Sequence, residues 1–344
     1  MRTECKIATA VSDAAGDTAL PRRRQGRDVT KVARHAPGIH TDPIDALLSQ
    51  RGDSVLAVIT EIDGPSYRPL GAVMAVFGNN QRVGTLSSGC VEKDIALRAL
   101  ETLRDGTPTK VRYGRGSPFM DIKLPCGGGL EVLLLPRPDR AILTQLAARR
   151  GARLPSTLSI DMPSGSLSLR DQGRTGAEGQ TFDVHFPSEV RILVFGKGPE
   201  AATFAALVQA AGFPNILFSP DAETLDHAAL MGCETRHLAA PAFPADVAVD
   251  ARTAVVLFFH DHDWEPAILS APATRAAFYV GAQGSRMARD ARNRELKAMG
   301  VDSDYLRRIH GPIGLLPSVR DARTLAISVL AEVLAVAAAN VAVS

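Results

Sequence analysis

A short apolar strand, a glycine-rich turn and a helical pattern follow one another between Val190 and Gly212, in the string VRILVFGKGPEAATFAALVQAAG. The first six residues have the length and largely apolar composition of a buried strand, and apolar residues then recur at helical spacing. Gly196, Gly198 and Ala201 form a G-x-G-x-x-A pattern between these elements. In this setting the pattern predicts a doubly wound, Rossmann-like parallel sheet, whose helix N-terminus can hold a phosphate or pyrophosphate through free backbone N–H groups.

The residues further along fit a dinucleotide site less well. A ribose-binding Asp or Glu is expected about 20 residues after the glycines, at the end of the next strand. That strand is predicted at 215–218 and is followed by Ser219, whereas Asp221 comes two residues later, behind a proline. Pro199 inside the turn also lacks an N–H group. A Rossmann-like domain that binds a ligand other than NAD is therefore an open alternative.

The length of the chain favours two domains, because single cores stop growing near ~250 to 300 residues and this chain has 344. We predict an α/β protein, with an N-terminal mixed α/β domain at 41–138 and a C-terminal Rossmann-like domain at 189–344. A linker with short strands is predicted at 139–188. Residues 1–40 are rich in Ala, Gly, Asp and Arg, which predicts a disordered arm.

Charge, hydropathy and cysteine spacing argue against several classes of protein. The net charge of +2 is too small for a general nucleic-acid binder. We see no apolar run near the ~18 residues that span a bilayer and no signal-peptide pattern, so we expect a cytoplasmic protein with no membrane partner. The four cysteines lack C-x-x-C spacing, which argues against a disulfide framework and a structural zinc site.

Cys90 lies where a predicted strand gives way to a helical pattern. Gly89 is an acceptable N-cap, and Glu92 stands three residues later, as in a capping box. This spacing places Cys90 at the first helical residue, where the helix dipole favours the thiolate and lowers the thiol pKa. A small buried apolar residue at a strand–helix junction is the equally supported alternative.

A second cysteine precedes three glycines in the string Cys126-Gly127-Gly128-Gly129. Successive glycines allow the backbone to curl its N–H groups into an anion-binding nest, with Cys126 at its rim. The alternative is a flexible turn in which the cysteine has no functional role. Two cysteines in two glycine turns suggest a single pocket.

Polar groups also follow the predicted strands of the C-terminal domain. His260 and His262 come directly after a strand, where they suit hydrogen bonding to a cofactor or substrate; a metal site and simple loop structure are the alternatives. Ser285 and Arg286 at a helix start suit a phosphate. His310 is a further pocket candidate, whereas the charged face of the helix after Arg286 is interpreted as solvated.

Seven strings carry a resemblance to one family. In the N-terminal domain they are GPSYRPLGAVM (64–74), GTLSSGCVEKDI (84–95) and LPCGGGLEVLL (124–134). In the C-terminal domain they are VFGKGPEA (194–201), FFHDHDWE (258–265), YVGAQGSR (279–286) and RIHGPIGL (308–315). They resemble, in the same order, motifs of the XdhC/CoxI accessory proteins, and the resemblance covers nearly everything from about residue 44 to the end.

The resemblance implies a chaperone rather than a turnover catalyst. Its cargo would be the molybdenum cofactor, as molybdopterin or its cytosine dinucleotide form, which is protected while a cysteine desulfurase supports addition of the sulfido ligand. The cofactor would then pass to the apoenzyme of a molybdenum hydroxylase such as xanthine dehydrogenase. The resemblance also implies a homodimer. Cys90 and Cys126 are the candidates for cofactor contact, with Gly89, Gly127 and Gly128 shaping the approach.

The chain departs from the family pattern at Leu316-Pro317-Ser318, where relatives carry Asp-Ile-Gly, and at Ser219, which replaces the acid at the strand end. These departures concern the ligand of the Rossmann-like domain more than its fold. The second functional hypothesis is an NAD(P)-dependent oxidoreductase with Cys90 or Cys126 near the chemistry, as the glycine fingerprint alone would suggest.

Overall fold

The structure is a computed structural model that describes residues 42–89, 91–117, 124, 127–260, 263–274 and 276–343. The predicted N-terminal arm lies outside the described residues. Within them the strands form three sheets, which we take in chain order.

The first sheet is antiparallel and has the strand order β3-β2-β1-β5-β4. Its strands are β1 (Ser54–Asp63), β2 (Val73–Phe77), β3 (Arg82–Val83), β4 (Thr109–Gly114) and β5 (Gly129–Pro136). Helix α1 (Pro43–Ser49) starts at Asp42, whose carboxylate accepts the N–H groups of Ile44 and Asp45. Helix α2 (Glu92–Asp105) ends at Gly106, which adopts the left-handed conformation of a C-cap. Residues of α2 such as Ile95 and Ala99 belong to the same apolar core as strand residues such as Val55 and Val132, which anchors the helix to the sheet.

A second, smaller sheet occupies the segment predicted as a linker. Helix α3 (Arg140–Gly151) leads into an antiparallel sheet with the order β7-β6-β9-β8. Its strands are β6 (Ser156–Asp161), β7 (Leu167–Arg170), β8 (Gly176–Glu178) and β9 (Thr181–Phe186). Phe182 and Leu158 on this sheet and Leu56 on β1 belong to one buried cluster. The short strands expected here are present, and the domain boundaries themselves stay a prediction.

The third sheet is parallel throughout and confirms the Rossmann-like prediction. Its order is β12-β11-β10-β13-β14-β15, so the chain reverses direction across the sheet between β10 and β13. The strands are β10 (Arg191–Gly196), β11 (Asn215–Ser219), β12 (Glu234–His237), β13 (Thr253–Phe258), β14 (Tyr279–Ala282) and β15 (Ile309–His310). The helices are α4 (Pro199–Ala210), α5 (Ala222–Leu230), α6 (Glu265–Ser270), α7 (Arg286–Ala298), α8 (Ser303–Arg308) and α9 (Ala322–Val343).

Helix α9 is a long apolar helix, as its alanine-rich sequence predicts from about Ala322 to Ala339. Over Ala322–Asn340 it is long and apolar enough to cross a membrane by length and composition, so the expectation that no segment reaches this length is wrong. Core helices of soluble proteins also meet that criterion. One side of α9, with Val329 and Val333, packs in the core that contains Phe204 and Val208 of α4.

Candidate functional site

The N-terminal motif strings lie in loops that leave the first sheet at one edge. Asp63 at the end of β1 lies opposite Gly129 at the start of β5, and Gly114 at the end of β4 pairs with the same glycine. Because β2 runs antiparallel to β1, it starts near this edge, and β3 ends beside it. The segments that follow β1, β3 and β4 are therefore brought together by the strand register.

Glycine-only contacts join the first and third of these segments. A Cβ atom on Gly128 would lie 2.1 Å from the carbonyl oxygen of Pro65, and a Cβ on Gly114 would lie 2.2 Å from the carbonyl oxygen of Gly128. No other residue type permits such approaches. The absence of side chains at these two positions thus lets the triple-glycine turn pack directly on the loop after β1.

A side-chain hydrogen bond joins that loop to the second motif. Arg68 donates from Nε to the Thr85 hydroxyl at 2.9 Å, and Ser66 donates its hydroxyl to the Arg68 carbonyl at 2.7 Å. Residues 64–69, 84–89 and 127–129 are therefore joined by direct contacts, and we call these three segments the motif edge. Tyr67 projects from it with more than half of its surface exposed.

Glu92 holds the second motif in place, but not as the sequence predicted. Helix α2 begins at Glu92 itself, with Val91 as N-cap and no side-chain cap. The buried carboxylate accepts hydrogen bonds from the N–H groups of Leu86, at 3.2 Å, and Ser87, at 2.8 Å, and from the Ser87 hydroxyl. The predicted capping box with Gly89 is therefore wrong, because Glu92 stabilises the turn before the helix and not the first helical turn.

Cys90 and Cys126 lie outside the described residues, so a shared thiol pocket stays a prediction. Their neighbours Gly89 and Gly127 are both exposed, with φ angles of 97° and 70°. Apart from its chain neighbours, no atom of the described residues lies within 4 Å of where a Cβ atom would stand at either glycine. Among the described residues, Gly89 and Gly127 therefore present bare, exposed backbone at the motif edge.

Two arginines flank the glycine turn. Arg115 contacts the Asp63 carboxylate at 3.3 Å and the Gly127 carbonyl at 3.4 Å. Arg112 pairs with Glu61 at 2.9 Å and donates from Nε to the Arg115 carbonyl. These side chains are partly exposed, so the pairs are solvated and their guanidinium groups can turn toward an anionic ligand.

The Rossmann-type turn packs closely against the neighbouring strand. A Cβ atom at Gly196 would lie 2.6 Å from the carbonyl oxygen of Phe258, so only glycine fits beside β13. The Lys197 N–H donates to that same carbonyl at 3.3 Å. Ala201, the third fingerprint position, is fully buried in the core. Gly196 and Ala201 thus position the helix against the sheet.

The backbone of Gly198, expected to be free for a phosphate, is already hydrogen-bonded. Gly198 has a φ angle of 87°, and its N–H donates to the Thr224 hydroxyl at 2.8 Å. Thr224 in turn donates its hydroxyl and, at 2.9 Å, its N–H to the carboxylate of Asp221, the N-cap of α5. The hydrogen bonds from Thr224 lower the pKa of Asp221. Asp221 is therefore engaged in its helix cap.

A carboxylate also stands at the N-terminus of α4. Oε2 of Glu200 lies 3.7 Å from the position of a Cβ on Gly198 and 3.6 Å from Nε2 of His260. His262 lies outside the described residues. The position that holds a pyrophosphate in a dinucleotide-binding fold therefore carries a negative side chain here, which disfavours a second anion.

The remaining candidates lie around β14 and β15. Ser285 caps α7 by accepting the Ala288 N–H at 3.1 Å, and Arg286 is exposed at the first helical position. His310 contacts Oε1 of Glu332 through Nδ1 at 2.6 Å, and its ring stacks on Tyr279.

The contact with His310 also changes the pKa of the Glu332 carboxyl group. Burial alone would raise its pKa, but hydrogen bonds from His310 and from the Gly314 N–H lower it overall. His310 also lines a cleft of about 230 Å³ with Phe278, Tyr305 and Arg308. The histidine ring is therefore fixed on one side by Glu332, while the cleft lies beside it.

Sequence reasoning missed Arg292, which it interpreted as part of a solvated helix face. The residue is 2% exposed, and its Nε lies 3.5 Å from Oε2 of the equally buried Glu265. One signal was available: Leu296 follows four residues later, on the same face of the helix. That face is the buried one, so Arg292 had to lie inside.

The chain matches known proteins over most of its length. Residues 47–114 match the XdhC and CoxI family, and residues 192–333 match the XdhC Rossmann domain. A molybdenum cofactor insertion chaperone of Escherichia coli (strain K12), PaoD, is 36% identical over 300 residues, which cover 85% of this chain and 86% of the relative. A protein of Bacillus subtilis (strain 168) described as a probable xanthine dehydrogenase subunit is 24% identical, over 85% of this chain and 95% of the relative.

The fold has a counterpart among solved structures. A crystal structure of a protein described as a xanthine dehydrogenase from Bacillus halodurans superimposes with a TM-score of 0.71 at 20% identity, over 86% of this chain and 95% of that one. This likeness supports the fold alone. Both family matches and the 36% identity to PaoD over 85% of this chain show that the chain belongs to the XdhC and CoxI family.

Proposed function

We propose that this chain binds the molybdenum cofactor as cargo at the motif edge and delivers it to a molybdenum hydroxylase. The observation that carries the proposal is the convergence of three motif strings at one edge of the first sheet. Two of those strings contain the cysteines, and the third bridges them through the Arg68–Thr85 hydrogen bond and the Pro65–Gly128 contact.

The chemistry of this surface suits such a ligand. Thiolates are soft ligands that match molybdenum and sulfur, and Cys90 and Cys126 would supply them. Gly89 and Gly127, the sequence neighbours of these cysteines, have exposed backbone that a bulky group can approach. Arg112 and Arg115 would interact with anionic groups of the same ligand.

The finer steps belong to the same proposal and are supported by the similarity to a cofactor insertion chaperone. We infer that the chain protects the cofactor while a cysteine desulfurase supports its sulfuration, and that it acts as a cytoplasmic homodimer. We further infer that the recipient is a hydroxylase of the xanthine dehydrogenase type. The cargo would be molybdopterin or its cytosine dinucleotide form.

The rival hypothesis, an NAD(P)-dependent oxidoreductase, is disfavoured by the turn at Gly198. There one phosphate-binding N–H is used by Thr224, a second is absent at Pro199, and the Glu200 carboxylate lies beside the turn. A parallel titration of the purified chain with molybdenum cofactor and with NADH tests the two hypotheses. We expect saturable binding of the cofactor and none of NADH. Tight NADH binding without cofactor binding would reverse the assignment.

A further inference from the structure

Arg292 is a buried cation whose hydrogen-bonding capacity is not met by the described residues. Its Nε, Nη1 and Nη2 atoms are all inaccessible to solvent, and none has a hydrogen-bond partner there. Its ion pair within the described residues, with Glu265 at 3.5 Å, is too long to count as a well-formed hydrogen bond. A guanidinium group offers five N–H donors, so most of the donors of Arg292 still lack an acceptor.

Burial of the Arg292 guanidinium group is energetically unfavourable without further hydrogen-bond acceptors. Burial lowers the pKa of Arg292, the Glu265 carboxylate partly offsets that effect, and the nearby Arg289 adds repulsion. Buried charges in proteins are normally paired and hydrogen-bonded, since an unmet donor loses its water without compensation. An acceptor that carries negative charge would satisfy these donors and offset the buried positive charge.

The guanidinium lies where parallel sheets bind ligands. Its Nη2 atom is 3.7 Å from the position of a Cβ on Gly311 and 3.9 Å from that on Gly284. Gly284 and Gly311 come after β14 and β15, and Glu265 comes after β13. Segments that follow the carboxyl ends of three neighbouring strands thus surround one cation, and ligands of open α/β sheets bind at this edge.

Two glycines cover the guanidinium group on one side. Gly284 and Gly311 are half-buried and bring no side chain next to Nη2. A larger residue at 311 would place its Cβ atom 3.7 Å from Nη2. Because Nη2 has no accessible surface while the two loops cover it, an oxyanion reaches it when these loops move apart, and we call this pair of loops the cradle.

Two further positive features lie beside the same cradle. Arg289 has its Cγ atom 3.6 Å from the Cβ position of Gly311, and its guanidinium group is hydrogen-bonded to the exposed Asp290. The cradle also adjoins the N-terminus of α7, a helix of 13 residues. The first N–H groups of a helix lack intrahelical acceptors, and Ser285 accepts the one at Ala288. The dipole of this helix adds to the attraction of an anion.

We propose that Arg292 is the central donor of an oxyanion site between Gly284 and Gly311, and that this site takes the phosphoryl group of a small molecule. A forked guanidinium combined with a helix N-terminus matches several oxygens of one phosphoryl group at once. The site is separate in the sequence from the motif edge, and its existence does not depend on the proposed function. The phosphoryl group can come from free phosphate or from a phosphate ester, and the two are distinguished by experiment.

The test is calorimetric titration of the full chain with orthophosphate, pyrophosphate and cytidine monophosphate. We expect binding of at least one of them, weakened about tenfold or more in Arg292→Gln and Arg292→Lys, since each loses the fork of charge-assisted bonds. Tighter binding of the nucleotide than of orthophosphate would identify an ester as the ligand, and the opposite order would identify free phosphate. Arg294→Gln, an exposed charge change on the same helix, serves as the control and should bind like the parent.

Gly311→Ala separates ligand binding from folding. Its new Cβ would have no protein atom closer than 3.5 Å, so the fold should persist while the cradle is narrowed. We expect an unchanged melting temperature and phosphoryl binding weakened severalfold or more. Absence of binding to the parent chain would overturn the proposal, and so would equal binding by the Arg292, Arg294 and Gly311 variants.

Discussion

The backbone N–H of Gly198 donates to the hydroxyl of Thr224 across 2.8 Å, so the glycine turn of this Rossmann-like sheet is bonded to the start of the next helix of the fold. In a dinucleotide-binding protein the corresponding turn is open to a pyrophosphate. Here the Thr224 hydroxyl also donates to Asp221, which links the turn to the cap of α5. In this structure the glycines of the fingerprint thus serve packing and local hydrogen bonding.

Thr224→Val tests this link with little change in side-chain shape. The variant leaves the Gly198 N–H without its acceptor in a site where Thr224 is 4% exposed, so we expect a loss of about 1 to 3 kcal/mol in the free energy of unfolding. Urea denaturation measures the loss. Thr144→Val, at an exposed position of α3, should lose much less, and equal losses in both variants would contradict the role given to Thr224.

Glu92 should be essential for the motif edge. Glu92→Gln replaces a carboxyl group that accepts from two backbone N–H groups and one hydroxyl, and we expect it to lower the free energy of unfolding by about 2 kcal/mol. Cofactor binding should weaken as well, because the turn that leads to position 90 loses its support.

The matched control for Glu92 is Glu101→Gln, on the same helix with a side chain that is 53% exposed. Its stability should change by less than about 0.5 kcal/mol. The account of Glu92 would be wrong if both variants unfolded at the same urea concentration and bound the cofactor equally.

Gly128→Ala addresses the contact that joins two motif strings. The added methyl group would lie 2.1 Å from the Pro65 carbonyl oxygen, so the loop after β1 must move away. We expect a loss of about 1 to 3 kcal/mol and weaker cofactor binding, measured by denaturation and titration. Gly151→Ala, which meets no atom within 4 Å at the end of α3, should be neutral or slightly stabilising. A neutral Gly128→Ala would show that the loops do not depend on this contact.

The ion pair between Arg153 and Asp250 gives a dependence of stability on pH. Burial alone would raise the pKa of Asp250, but two hydrogen bonds from Arg153, at 2.7 and 3.0 Å, and one from Thr253 lower it to about 2. Because this pKa is lower in the folded state, the stabilisation is complete above about pH 4 and is lost as the pH falls from 4 to 2.

Asp250→Asn should reveal that stabilisation. At pH 7 we expect the variant to be about 1 kcal/mol less stable, a value reduced for solvent screening because the carboxylate is 37% exposed. At pH 2 parent and variant should differ much less. Free energies of unfolding measured between pH 2 and 7 provide the check, and a difference that does not change with pH would contradict the assigned cause.

Local sequence patterns predicted those elements whose signals are local. The strand before Gly196 and the helix after it were predicted because buried parallel strands are continuously apolar and helices repeat every 3.6 residues. Asp42, directly before α1, is the type of residue that caps helices. Strand β4 was missed, because its sequence TKVRYG contains charged residues that pair with Glu61 and Glu131 only in the folded sheet.

The parts of the site that were not predicted depend on tertiary contacts. The spacing between Gly89 and Glu92 fits a capping box, yet Glu92 contacts Leu86 and Ser87 because the chain turns before the helix begins. Arg292 has the same residue type as Arg289 and Arg294, and only the packing of α7 against the rest of the domain makes it a buried charge. Chain turns and helix orientation of this kind are set by the whole fold.

The most direct test of the central claim is the amount of molybdenum cofactor that the purified chain retains when Cys90 and Cys126, the cysteines of the motif strings, are replaced. The account predicts about one cofactor per parent chain, about one for the Cys233→Ala control in the Rossmann core, and a loss of most of the bound cofactor in the Cys90→Ser, Cys126→Ser double variant. Metal analysis together with mass analysis of the released small molecule measures the three. Full retention of the cofactor by the double variant would contradict the claim that the motif edge binds it.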